Sequence, residues 1–343
     1  MAQGYSLTEL TPAQGHTYRA TAEIYRAYLQ ALSRSRDFKG GMHWKRIRGK
    51  DYLYRYRDRL GHGESLGPRS EDTERLYARF TRERREAFAR LQQEGLRLKE
   101  QRRYCRAARL QRVPGSAARI LRRLEEHAPG QDLLVVGAAA VYAYEAAAGV
   151  LLNFDAFPDL PGAAPRLTLA GEMPWEELLN LLKRTDRSFA QLLEGECRAA
   201  NRDGFVVQLL KPGMRRPGKS KTVTLPGAQE PLPLEAGSLQ YLLASPRFSQ
   251  VVIGADGGPA AMAVPDALAF ALNRFWRSRQ EDREEAQRRR DFRQAMAVAD
   301  LVLRYLQPYE YFSIELAMLP QELVQAAARF AEGTDGSGRE AEA

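Results

Sequence analysis

The chain has little sulfur and little imidazole: two cysteines, Cys105 and Cys197, and four histidines, His16, His43, His62 and His127, in 343 residues. The cysteines sit far apart in sequence, in helical-looking segments, which excludes a disulfide framework and leaves reduced structural thiols as the expectation. The histidines pair neither with one another nor with cysteine at a metal-ligand spacing, which argues against a structural zinc site. Long apolar runs are also missing. Nothing approaches the roughly 20 residues that span a bilayer, and Met1-Ala-Gln-Gly-Tyr-Ser-Leu-Thr-Glu9 lacks the basic and apolar segments of a secretory signal. A folded, soluble, cytoplasmic protein without a membrane partner is expected. Hydrophobic residues make up 44% of the chain, enough to bury a core in two or three domains.

Acidic residues are scarce in one region only. Between Met1 and Ala128 there are 29 Lys and Arg against 15 Asp and Glu, while the whole chain carries a net charge of +9. The basic character therefore belongs to the N-terminal third. That asymmetry fits contact with phosphates; arginines that merely solvate long helices give the same count.

Within this third, Tyr18, Ala22, Tyr25, Leu29 and Leu32 recur at helical spacing over residues 16–36. A β-hairpin is expected over 41–57, with Gly40–Arg48 and Asp51–Arg57 as strands around the Gly49-Lys50 turn. Alternation puts Tyr52, Tyr54 and Tyr56 on one face and Leu53, Arg55 and Arg57 on the other. Two readings of the hairpin stand. The rings, interleaved with Lys45, Arg46, Arg48 and Lys50 and followed by Arg69, suit stacking on bases and neutralising RNA or DNA phosphates; alternatively the tyrosines pack on a helix. Ser65–Ser70 then closes the hairpin, with Ser70 as N-cap of a long helix over 70–110 that Gly95 interrupts. A shorter helix follows over 117–126. The Pro129-Gly130 turn ends this basic N-terminal region, 1–128.

From 131 to 264 short strands alternate with helices. Leu133–Val136 is an unbroken apolar run, as expected of a strand buried on both faces. Gly137 turns the chain into a helix whose first amides suit a phosphate. Arg166–Ala170 and Gly204–Leu210 read as further strands, Trp175–Arg184 as a helix and Pro212–Pro233 as a basic loop. Gln250–Gly254 and Ala260–Val264 form a hairpin before a helix begun by Pro265-Asp266. Residues 265–331 then form a helical region. In it, Phe292, Ala295, Ala299, Val302 and Leu306 give the core face of the last helix. Residues 332–343 read as a disordered tail.

These segments carry a family resemblance. Gly41-Met-His-Trp-Lys, Tyr52-Leu-Tyr-Arg, Ser65-Leu-Gly-Pro-Arg-Ser, Arg112-Val-Pro, Ala118-Arg-Ile-Leu, Val136-Gly, Ala143-Tyr-Glu-Ala-Ala-Ala-Gly149, Val264-Pro-Asp-Ala-Leu-Ala-Phe270 and Arg289-Arg-Asp-Phe-Arg-Gln-Ala295 stand in order. Together they resemble a bacterial subgroup of the nucleotidyltransferase-fold proteins related to DNA polymerase beta, over nearly everything from Gly40 to about Leu306. The resemblance implies an α+β fold: a polymerase-beta-like module, a mixed sheet with flanking helices, between an N-terminal helical and β-hairpin region and a C-terminal helical region. It also implies Mg2+-assisted transfer of a nucleotidyl group from a nucleoside triphosphate. Such enzymes place Gly then Ser or Thr at the phosphate turn, Asp-x-Asp on the next strand and a third carboxylate on a later one.

The chain departs from that pattern at each point. Its turn is Gly137-Ala138, without a hydroxyl. Where Asp-x-Asp is expected stands Asp155-Ala-Phe-Pro-Asp159, at the wrong spacing, which leaves these two as the candidate catalytic and metal-binding carboxylates. The third position is Gln208, which takes no proton at neutral pH; loss of a general base costs ~10² to 10⁴ in rate. Arg274 and Arg290 are the arginines expected to meet nucleotide phosphates, with Gly137 and Ala138, and Glu145 is expected to pair with an arginine. Three readings remain open: a transferase acting with Mg2+ and a nucleoside triphosphate, a degenerate member that binds nucleotide or nucleic acid, and a protein-interaction module using the 70–110 helix.

Overall fold

A computed structural model describes residues 6–56, 62–127, 132–152, 166–211, 236–281 and 283–306. The chain begins with strand β1 (Leu7–Glu9) and helix α1 (Pro12–Arg36), then β2 (Gly41–Ile47), β3 (Lys50–Tyr56), β4 (Gly63–Pro68) and α2 (Glu71–Ala107). Next come α3 (Gly115–His127), β5 (Leu134–Val136), a 3-10 turn (Ala138–Ala140), α4 (Val141–Ala148), β6 (Val150–Leu152), β7 (Arg166–Ala170) and α5 (Trp175–Thr185). The remainder is β8 (Ala190–Gln191), β9 (Arg198–Ala200), β10 (Val206–Leu210), α6 (Ala236–Ala244), β11 (Arg247–Ile253), β12 (Pro259–Pro265), α7 (Ala267–Ser278) and α8 (Glu285–Arg304). The fold is α+β. Two compact units divide it, His16–Leu110 with Gly257–Pro259 forming one and the rest of the chain the other.

In the smaller unit the expected hairpin has a third strand, giving an antiparallel sheet in the order β2-β3-β4. Residues 65–68, expected only to close the hairpin, lie within that strand, with a bulge opposite Leu53 and Tyr54. The tyrosines do not pack on the helix. Leu53, fully buried, does so instead, with Met42, Phe38, Phe80 and Ala87 around it. Ser70 caps α2 through a reciprocal pair: Thr73 N donates to Ser70 Oγ (3.3 Å) and Ser70 N to Thr73 Oγ1 (2.8 Å). Acidic Glu71, Asp72 and Glu74 in the first turn favour the same start.

Gly95 does not interrupt α2. A glycine costs a helix interior only about 1 kcal/mol, and beside it the buried Glu94 carboxylate lies 2.8 Å from Arg90 and 2.9 Å from Arg97. Helix α1 joins α2 through buried polar groups: Gln101 Nε2 donates to Thr21 Oγ1 (3.0 Å), and Thr21 Oγ1 lies 3.1 Å from Cys105 Sγ. Both cysteines are free thiols. Burial pushes the Cys105 thiol up, against a hydrogen bond to Thr21, so it stays protonated and inert.

In the larger unit the central sheet runs β5-β7-β10-β9-β8, with β7 and β10 parallel and the other neighbours antiparallel. Its two faces are covered differently. Val135, Leu167, Leu169, Val207 and Leu209 face the main core with α3, α4, α5 and α8, while Leu134, Val136 and Ala170 pack with Leu239 and Leu242 of α6. Strand β1 pairs with β6 in a separate two-stranded ladder, a partnership too short to show as alternation in sequence. Phe292, read as core, is 42% exposed and touches Phe275 from the rim. Ala295, Ala299 and Val302 of the expected face are buried, and the buried surface of α8 extends round the helix to Gln287, Asp291, Gln294 and Val298.

The entry into this unit is held by a buried ion pair. Arg112 N and Val113 N both donate to Ile253 O at 3.0 Å. Arg112 then clamps Glu145 of α4, Nε to Oε1 at 2.6 Å and Nη2 to Oε2 at 2.9 Å, and its Nη2 also reaches Leu152 O. Leu152 N donates back to Glu145 Oε2 (3.0 Å). Burial pushes the Glu145 carboxyl up and Arg112 pulls it back. Glu145 thus has the arginine partner expected of it. Replacing Arg112 by Ala strands this carboxylate and is expected to cost about 3–5 kcal/mol, with Arg112→Lys recovering only part because an ammonium lacks the bidentate fork. Urea denaturation followed by circular dichroism measures both; near-wild-type stability in Arg112→Ala would overturn the clamp.

Candidate phosphate-binding site

Strand β5 is short because it ends at a backbone conformation only glycine adopts comfortably. Gly137 has φ 87° and ψ −165°, in a region closed to residues with a Cβ. The chain turns there into Ala138–Ala140 and on into α4. Register places Val136 beside Thr168 of β7 and Thr168 beside Gln208 of β10. Cross-strand partners share a face, so Thr168 and Gln208 stand together on the side of the sheet that reaches the Gly137 turn. A Cβ placed on Gly137 would lie 3.6 Å from both Thr168 Oγ1 and Arg274 Nη2. The turn, a strand hydroxyl and a guanidinium therefore converge.

Arg274 is held there from two directions. Asp266 caps α7, its Oδ1 accepting from Leu268 N (2.9 Å) and Ala269 N (3.0 Å), and Tyr144 of α4 donates to Pro265 O (2.8 Å). These bonds tie the start of α7 to the helix that follows Gly137. One turn and more along, Arg274 packs its guanidinium 4.9 Å from the Phe270 ring centre and donates from Nη1 to Asp291 Oδ1 at 2.7 Å.

Asp291 is fully buried and collects several cations. Arg283 Nη2 lies 2.9 Å and Arg277 Nε 3.6 Å from its Oδ2, and Arg290 contributes to its field. All four arginines are themselves at least nine-tenths buried. Burial pushes the Asp291 carboxyl up, but the guanidiniums of Arg274, Arg277, Arg283 and Arg290 outweigh it and hold the group below the usual carboxylate range. Burial pushes Arg274 down, against the pull of Asp291. The guanidiniums of Arg274, Arg277, Arg283 and Arg290 all act on this one carboxylate. Gln294, 1% exposed and one turn beyond Asp291, has neither its amide nitrogen nor its oxygen hydrogen-bonded among the described residues. Guanidinium N–H groups suit anions, which makes the cluster a candidate anion site.

The sequence-derived residues fall into three groups. Gly137, Ala138 and Arg274 come together where β5 ends, and Gln208 stands two strands away, on the same sheet face as Thr168. Arg290 belongs to the same arginine cluster. Asp155 and Asp159 lie outside the described residues. Sequence reasoning missed Thr168, Arg277, Arg283, Asp291 and Gln294 as site residues, although an aspartate four residues before Ala295, on a core face, was a legible signal.

Asp155 and Asp159, the carboxylates that the resemblance would give to magnesium, lie outside the described residues; among the described residues no group of three or more His, Cys, Asp or Glu is placed to hold a metal ion, and Thr168 and Gln208 stand side by side on β7 and β10. The basic residues of the smaller unit separate too. Lys45 and Lys50 share the tyrosine face and Arg48 lies in the turn with φ 47°. Arg46, paired with Asp51, takes the opposite face. Arg69 is bound to Glu74 (2.7 Å) and Asp51 (3.4 Å) and covers the Trp44 ring.

The first strand of a mixed sheet turns through Gly137 into a helix, with Arg274 against that turn. A family model described as Nucleotidyltransferase matches residues 116–316. The chain belongs to the nucleotidyltransferase family. No match was found among curated proteins or among solved structures. Among the described residues, no helix is long and apolar enough to cross a membrane.

Two outcomes follow from the geometry. Asp291→Asn is expected to destabilise the protein by about 3–5 kcal/mol at neutral pH, because buried guanidiniums lose their partner. With a depressed folded pKa, Asp291 stabilises above the ordinary carboxylate range and loses that contribution as pH falls through its lowered value. The gap between wild type and variant in thermal melts should therefore close in strong acid; a pH-independent gap would overturn the assignment. Gly137→Ala is expected to cost about 1–3 kcal/mol from backbone strain alone, since its Cβ makes only ordinary contacts. Chemical denaturation reads that cost.

Proposed function

We propose that this chain binds the triphosphate of a nucleotide at the Gly137 turn, using arginine rather than a carboxylate-held metal pair to neutralise it, and that it holds the nucleotide without transferring it. The observation that carries this reading is Arg274, whose Nη2 approaches the turn while Nη1 is fixed by Asp291. A guanidinium fixed at one end presents its remaining donors in a set direction, which suits a phosphate oxygen. Thr168 adds a hydroxyl and Gln208 an amide where an acidic side chain would repel the phosphates. Membership of the family supports a nucleotide as the source of those phosphates.

Binding without transfer rests on the chemistry of the strand positions. Neither threonine nor glutamine activates an acceptor hydroxyl at neutral pH, and neither is a strong magnesium ligand. The competing reading is Mg2+-assisted transfer to RNA, a protein side chain or a small molecule, which would draw its carboxylates from Asp155 and Asp159.

Isothermal titration of the full chain with each nucleoside triphosphate, in Mg2+ and in EDTA, tests the first half. Binding is expected in both, weakened about ten- to hundredfold in Arg274→Gln, the loss of a charge-assisted contact. Binding that vanishes in EDTA would overturn the arginine-based reading. Incubation with α-labelled triphosphates, Mg2+ or Mn2+ and cell extract tests the second half. No label transfer is expected; transfer by the parent that disappears in the Asp155→Ala, Asp159→Ala double variant would establish the competing reading.

A further inference from the structure

We propose that the open face of the β2-β3-β4 sheet is a binding platform for single-stranded nucleic acid. The register sorts the side chains of this sheet by chemistry. Gly41 pairs with Tyr56, His43 with Tyr54, Lys45 with Tyr52 and Ile47 with Lys50, so these residues share a face. On β4 the same face receives Ser65 and Pro68, partners of Tyr54 and Tyr52. The other face carries Met42, Trp44, Arg46, Asp51, Leu53, Arg55 and Glu64.

Both carboxylates of the sheet, Asp51 and Glu64, therefore lie on the side that packs on α2. Among the described residues, the tyrosine side has two lysines, an imidazole and no acid. On it the rings form a continuous array. Tyr54 and Tyr56 lie 6.2 Å apart with planes 27° from parallel, and His43 stands 5.9 Å from Tyr56. Lys45 Nζ sits 5.4 Å from the Tyr54 ring centre, and His43, Lys45 and Lys50 are exposed.

The physical account of this array decides among occupants. Tyr52, Tyr54 and Tyr56 are half-buried yet stand outside the core of this unit, which Leu53 fills from the opposite face. Ring faces in a row, edged by lysines and cleared of carboxylates, match a strand of unpaired bases joined by phosphates. Bases stack on tyrosine irrespective of sequence, and the lysines neutralise the backbone between them. A duplex hides its base faces and offers the rings nothing to stack on. An acidic protein would use the lysines but not the rings.

The test is fluorescence anisotropy of the full chain with a short labelled single-stranded RNA of mixed sequence, its DNA counterpart and the corresponding duplex. Single strands should bind more tightly than the duplex, with affinity falling as salt rises. Tyr54→Ala with Tyr56→Ala should weaken binding at least fivefold, the lower end of what loss of a stacked base costs. Tyr54→Phe with Tyr56→Phe should bind as wild type, which separates loss of the ring from loss of the fold. Lys45→Ala should flatten the salt dependence by about 0.7 in slope, the value for one phosphate on a single strand. Arg46→Ala, on the helix-facing side, should change little. RNA against DNA reads whether a 2′-hydroxyl contributes. Equal affinity for duplex and single strand, an unweakened Tyr→Ala double variant, or equal loss in Arg46→Ala would each overturn the platform.

Discussion

Charge taken out of water must be answered by charge, and in the larger unit this requirement falls on Asp291. Its carboxylate fixes Arg274 and lies against Arg277 and Arg283 in a part of the molecule with almost no solvent access. The desolvation cost of such a group is several kcal/mol. Because Arg274 is bound from α8 and α7 is tied at its start to Tyr144 of α4, the geometry of the phosphate turn depends on helices far along the chain. The same logic operates at Arg112 and Glu145, where a second buried pair joins the chain entering the unit to α4 and β6. One clamp sets where the turn begins and the other sets what faces it.

That dependence separates the parts of the family frame held by backbone and charge from those that transfer chemistry would need. The Gly137 turn requires a glycine for backbone reasons and the arginine cluster requires Asp291 for electrostatic ones. Neither requires the strand carboxylates that a two-metal transfer needs. Thr168 and Gln208 fit beside the turn without disturbing either constraint. The smaller unit follows different physics, its sheet separating an aromatic, basic face from an apolar face by the simple period of two.

Particular residues show how much of this was legible. The strand Arg166–Ala170 was read with its observed bounds, because five residues between turn signals leave little room for a helix. The Ser70 cap and the Gly137 turn were legible for local reasons: a hydroxyl before a helix, a glycine after an apolar strand. Gly95 misled because propensity is a weak term beside a buried Glu94 held by two arginines. Phe292 misled because the buried surface of α8 also takes in polar Gln287, Asp291 and Gln294, which leaves Phe292 at its edge while Ala295, Ala299 and Val302 are buried.

Residue type and spacing over a few positions were enough to read many local elements, the basic N-terminal third, the glycine turn, the missing hydroxyl at Ala138 and the missing carboxylate at Gln208. Only the tertiary structure decided which face of the β2-β3-β4 sheet is covered, because alternation defines two faces and says nothing of which one meets a helix. It alone brought Thr168 and Arg274 to the Gly137 turn, with Asp291 behind Arg274, because register and helix packing act between residues far apart in the chain, where no sequence period reaches.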